Sequence, residues 1–78
     1  MHKDTVRAIE FVLKQRDNNL FRIFIQSKQE DGFWGMCIFV KEEYKHLIPH
    51  IESVGIQIGR FYGEGLQVKK SNDYIVFS

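Results

Sequence analysis

Hydrophobic and polar positions change period along this chain, and each change marks an element. In residues 5–17 the apolar side chains recur at helical spacing. Val6, Ile9, Val12 and Leu13 share one side with Ala8 at its edge, while Lys3, Arg7, Glu10, Lys14 and Asp17 take the other. Asp4 or Thr5 can supply the N-cap, and Asn18-Asn19 is a plausible stop because asparagine tolerates the left-handed conformation. Phe11 lies off the apolar stripe, and the stems of Arg7 and Lys14 are expected to cover it.

Residues 20–41 switch to period two around Asp31-Gly32, the strongest short-range hairpin signal. A type I′ turn at this pair sets Glu30 opposite Phe33, Ile25 opposite Ile38 and Ile23 opposite Val40. One face of the hairpin is then almost wholly apolar and should be core. The other pairs Phe24 with Phe39, Gln26 with Cys37, Lys28 with Gly35 and Arg22 with Lys41, and Leu20 and Phe33 add to it. A slip of one residue would mix the two sets, so the pattern itself argues for this register.

Residues 42–54 return to helical spacing, with Tyr44, Leu47, Ile48, Ile51 and Val54 in one stripe and Gly55 fitting the position after the helix. Pro49 would cost about 3 kcal/mol in a helix interior. A kink there, or a helix restarting near Leu47 with Pro49 in its first turn, avoids the full penalty. After Gly55 the alternation Ile56, Ile58, Arg60 against Gln57, Gly59, Phe61 predicts a strand. Gly63-Glu64-Gly65 then suits a hairpin loop with a bulge, residues 66–70 a further strand, Ser71-Asn72-Asp73 a turn, and residues 74–77 a last strand. The order is α-β-β-α-β-β-β. It predicts an α+β two-layer sandwich, with two helices on one face of a mainly antiparallel five-stranded sheet.

Length and composition narrow the function classes. At 78 residues the chain is expected to form a single domain, 1–78, whose core is marginal unless shared with a partner. The hydrophobic share of 44% argues against disorder, and 11 basic against 10 acidic side chains give no global excess of the kind that marks nucleic-acid binders. With one cysteine, Cys37, there is no internal disulfide and no four-cysteine zinc site. No apolar run has the length of a membrane span and no signal sequence is evident, so a cytoplasmic protein is expected.

The candidate chemistry is sparse. His46 and His50 lie four apart behind Glu42 and Glu43, but a zinc site needs at least three protein ligands, so no metal and no cofactor is expected. The glycines around Arg60-Phe61-Tyr62 lack the lysine and helix start of a phosphate loop. Arg60 falls on the core side by parity. Ser27, Ser53, Ser71 and Ser78 sit in no nucleophile motif, the acids do not converge with a base, and a chain this short has little volume for a pocket of about 300 Å³. An enzyme is not expected.

What remains is the uncovered sheet face. Parity collects Phe24, Phe33, Phe39, Phe61 and Tyr74 there, with Arg22, Lys28, Lys41 and Lys69 at its margins. Monomers seldom expose apolar patches of more than a few hundred Å². The preferred reading is therefore a small non-enzymatic binding or regulatory protein, for instance an inhibitor, docking this face on a protein partner or on a second copy. Small stand-alone chains of phage or plasmid origin often have such roles, an associational argument. The alternative is a single-stranded nucleic-acid or RNA-binding module using the same rings and cations. No small-molecule substrate is expected.

Overall fold

The computed structural model describes residues 1–16 and 23–78. It is an α+β fold of two helices and one antiparallel sheet. Helix α1 spans Lys3–Phe11 and runs into a wider π-helical turn, Val12–Arg16. The hairpin β1 (Ile23–Glu30) and β2 (Phe33–Val40) follows, then a 3₁₀ turn, Glu42–Leu47, and helix α2, Ile48–Phe61. The chain ends in β3 (Val68–Lys70) and β4 (Tyr74–Phe77). The strand order is β1-β2-β4-β3.

The hairpin has the register that its turn dictates. Asp31 and Gly32 both take positive φ, 52° and 82°, and the pairs run from Glu30–Phe33 to Ile23–Val40 without a bulge. β4 carries apolar or aromatic side chains on both faces and takes a central place beside β2. The short β3, with Lys69 and Lys70, takes the edge, where lysines discourage further pairing. The backbone of Met1 bonds Trp34 in both directions at 3.0 Å.

One apolar cluster joins both helices to one side of the sheet. Val6 and Ile9 of α1, Leu13 of the turn after it, and Ile48 and Ile51 of α2 pack with Ile23, Met36, Ile38, Val40, Ile75 and Phe77. Ile9, Ile38, Ile75 and Phe77 are fully buried, each contributing about 1.5–3 kcal/mol of transfer free energy. Two polar side chains near the helices, Ser27 and Thr5, have carboxylate partners. Ser27 Oγ donates to Glu10 Oε1 at 2.8 Å, while Glu10 also meets Lys14 at 3.6 Å. Buried Thr5 donates its hydroxyl to Glu64, whose other carboxylate oxygen accepts the His2 N–H at 3.0 Å. A carboxylate from the far loop thus satisfies a backbone donor just ahead of α1, where no side chain of the helix itself caps it.

Several expectations are corrected. The sheet has four strands, because residues 56–61 continue α2. Gly55 does not end that helix; it lies buried in its middle, and Gly59 follows one turn on. Ile48, Ile51, Gly55 and Gly59 form one helical stripe. The apparent alternation of Ile56 and Ile58 is a short apolar run that either period can accommodate. The Gly63-Glu64-Gly65 segment is the helix stop, not a hairpin loop. Gly63 takes φ +74° and donates to Arg60 O at 3.0 Å, and Glu64 N–H reaches Gly59 O at 2.8 Å, the two bonds of a Schellman cap. Arg60 is therefore exposed on α2 rather than on the core side of a strand. Pro49 sits in the first turn of α2, where its missing N–H costs nothing. The first helix starts earlier than expected, at Lys3, and its regular part ends at Phe11. The proposed stop at Asn18-Asn19 lies outside the described residues.

Candidate functional site

The side of the sheet turned away from the helices is the candidate site, and strand parity builds it. Phe24 on β1, Phe39 on β2 and Tyr74 on β4 occupy one cross-strand row. Their rings are neighbours, with centroids 6.3 Å apart for Phe24–Phe39 and 6.0 Å for Phe39–Tyr74, both tilted. These distances lie in the range of favourable aromatic pairs, worth about 0.5–1.5 kcal/mol each. Phe24 is 65% exposed and Phe39 40%. The next row holds Gln26, Cys37, Val76 and Lys69. Beyond it Lys28 stands opposite Gly35, and Phe33, 68% exposed, closes the turn end.

Charge is distributed unevenly across this face. The central strands β2 and β4 present Phe33, Gly35, Cys37, Phe39, Tyr74 and Val76, none of them charged. Lys28 lies on β1 and Lys69 on β3, the two edge strands. Lys41 follows β2 and is exposed. Because Gly35 has no side chain, an open depression of about 690 Å³ forms over it, with Lys28, Phe33, Cys37, Val76 and Ser78 around it. That is more volume than the chain length suggested; Lys28 and Glu30 both line it, and no histidine stands beside Cys37 among its lining residues. Cys37 is half-buried in it. Burial pushes its thiol above the ordinary range, and the nearby Asp73 carboxylate adds to the shift.

Not every expected residue joins the site. Phe61 is the last residue of α2, 84% exposed, away from the open sheet face, because the segment expected as a strand is helical. Arg22 lies outside the described residues, as does Leu20. Phe24, Phe33, Phe39, Tyr74, Lys28 and Lys69 are together on one face, with Lys41 just beyond β2. Phe61 meets the Tyr62 ring edge-on at 5.3 Å, and Phe11, 66% exposed, is not covered by its arginine and lysine neighbours. Arg7, Phe11, Val12 and Tyr62 line a second depression, of about 490 Å³. This helix-side patch was not assembled from the sequence, although Phe11 off its stripe was a signal. His46 lies in the 3₁₀ turn and His50 in α2, both exposed, so the two do not share one regular helix. Among the described residues no group of three or more His, Cys, Asp or Glu side chains is placed to hold a metal, and no helix is long and apolar enough to cross a membrane.

No protein-family model, curated protein or solved structure matches the chain.

Proposed function

We propose that this is a non-enzymatic binding protein that docks its bare sheet face on a protein partner. The observation that supports the reading is the row Phe24–Phe39–Tyr74, three rings in contact across three strands, on a face with uncharged central strands and lysines at its edges. An apolar centre inside a charged rim is the anatomy of a protein contact, in which aromatic residues carry most of the affinity. Lys28, Glu30 and Lys69 give this rim both signs of charge, which suits a partner whose rim charges are complementary.

Nucleic-acid binding is the second reading, favoured by the same two lysines beside exposed rings. The two differ in salt dependence. Protein docking centred on rings weakens little with salt, whereas each phosphate contact steepens the slope. The test is to purify the tagged wild type and Phe39→Asp from the native host and record associated protein, absorbance at 260 and 280 nm, and retention in salt. Associated protein that survives high salt and is lost in a folded Phe39→Asp supports the proposal. Associated nucleic acid released by salt, with Lys69→Ala lowering the salt slope, overturns it in favour of the second reading.

A further inference from the structure

We propose that β1 is a pairing edge, through which two copies of the chain join β1 to β1 in one continuous antiparallel sheet. Trp34 exchanges both its bonds with Met1, and Val40 N–H donates to Asp73 O at 2.9 Å, so these residues of β2 turn their backbone groups away from β1. In an antiparallel ladder the direction alternates by residue. Phe33, Gly35, Cys37 and Phe39 must then bond β1, through Glu30, Lys28, Gln26 and Phe24. Ile23, Ile25, Ser27 and Gln29 consequently point their N–H and C=O groups outward, past the edge of the sheet. Among the described residues no strand lies there.

The two edges differ. β3 has three residues, two of them lysine, whereas β1 has eight, with no proline and no bulge. A long flat edge is a template for another strand. Self-pairing about a two-fold axis must keep like faces together, which leaves few registers. With Gln26 opposite Gln26, Phe24 of each copy faces Lys28 of the other, a cation–π arrangement. A shift of one pair toward the turn would instead set Phe24 against Glu30. In the favoured register Ile23 pairs with Gln29 and Ile25 with Ser27, so every outward group finds a partner and eight backbone bonds form.

The extent of the face points the same way. At about 3.3 Å per residue and about 4.8 Å between strands, the four strands offer a face on the order of 350 Å². Two copies joined at β1 present a doubled, continuous face with two ring rows. Pairing at the edge runs through backbone groups and, beyond the Phe24–Lys28 contacts, leaves the face open, so its failure does not decide what docks there.

The test uses cysteine variants in a Cys37→Ser background, which carries no other thiol. The Gln26 pair would be a close, non-hydrogen-bonded pair on the axis, within disulfide reach. Gln26→Cys should form a disulfide dimer in most of the sample at micromolar concentration. Lys28→Cys alone should form little, but should couple to Phe24→Cys when the two are mixed. Independently of any variant, the amides of Ile25, Ser27 and Gln29 in the native chain should exchange more slowly on concentration, together with a doubling of the solution mass. A solution mass that stays at one chain at high concentration, with those amides unprotected, overturns the proposal. So does a dimer that leaves them unprotected and crosslinks through native Cys37 instead, which would mean face-to-face stacking.

Discussion

Gly55 of α2 lies directly against the ring of Phe77 on β4. A Cβ placed on Gly55 would come within 2.2 Å of Phe77 Cζ and 2.4 Å of Cε1. Phe77 is fully buried, so its ring has little room to move aside. The missing side chain lets the helix axis approach the sheet, and the ring fills the space a methyl would take.

Gly55→Ala should therefore destabilise the fold, although alanine is the better helix former. Helix propensity favours alanine by about 1 kcal/mol, against about 1–3 kcal/mol for overpacking a tight contact. The expected net is a loss of up to about 2 kcal/mol, read from urea unfolding. Phe77→Leu is itself destabilising, but combined with Gly55→Ala it should cost less than the sum of the two, since the smaller side chain leaves room for the methyl. Gly59→Ala meets Leu66 at 2.7 Å, and Leu66 is only half-buried, so the smaller effect is expected there. A Gly55→Ala protein more stable than wild type would show that α2 stands further from the sheet.

Glu64 and Thr5 should respond asymmetrically. Glu64→Ala strands the buried Thr5 hydroxyl and removes the acceptor of the His2 N–H, and an orphaned buried donor costs about 1–3 kcal/mol. Thr5→Val removes the buried hydroxyl altogether and leaves a half-buried carboxylate that water can reach. It should cost less. The double variant should be less destabilised than the sum of the two, which a double-mutant cycle in urea measures. Equal, additive losses would mean that the two side chains do not act as a pair.

Cys37 reports on the open face, and its reactivity should follow pH in a set direction. Burial and then the Asp73 carboxylate raise its pKa, so at pH 8 it carries less thiolate than an exposed cysteine and should react more slowly with a maleimide. The rate should climb as pH rises toward the raised value. Asp73→Asn should speed the reaction, while the backbone bond from Val40 to the residue 73 carbonyl is retained. The linked stability has the matching sign. The fold favours the protonated thiol, so this contribution is complete below the ordinary thiol pKa and is lost as pH rises through the raised one. An unchanged rate in Asp73→Asn would leave burial as the sole cause.

The ring row was legible in the sequence because it depends on few local facts. Asp31-Gly32 fixes the turn, the turn fixes the pairing, and the pairing decides which side each ring takes. The Phe24–Phe39 pair follows from that alone. Tyr74 joined it through the alternation of the last strand, once β4 lay beside β2. Phe61 failed the same reasoning because its segment had no such pin: Ile56, Ile58 and two glycines fit a strand as readily as a helix.

The sequence by itself determined the hairpin and its register, the sorting of its side chains to two faces, the apolar stripes of both helices and the last turn and strand. All of these rest on interactions between residues near each other along the chain. Only the tertiary structure decided how far α2 runs, the number and order of strands, and the side on which Phe61 lies. Those depend on contacts between distant segments: Gly55 beneath Phe77, Gly59 beside Leu66, and Glu64 reaching back to Thr5. A glycine that breaks an isolated helix is accommodated inside this one, because the sheet occupies the space its side chain would have filled.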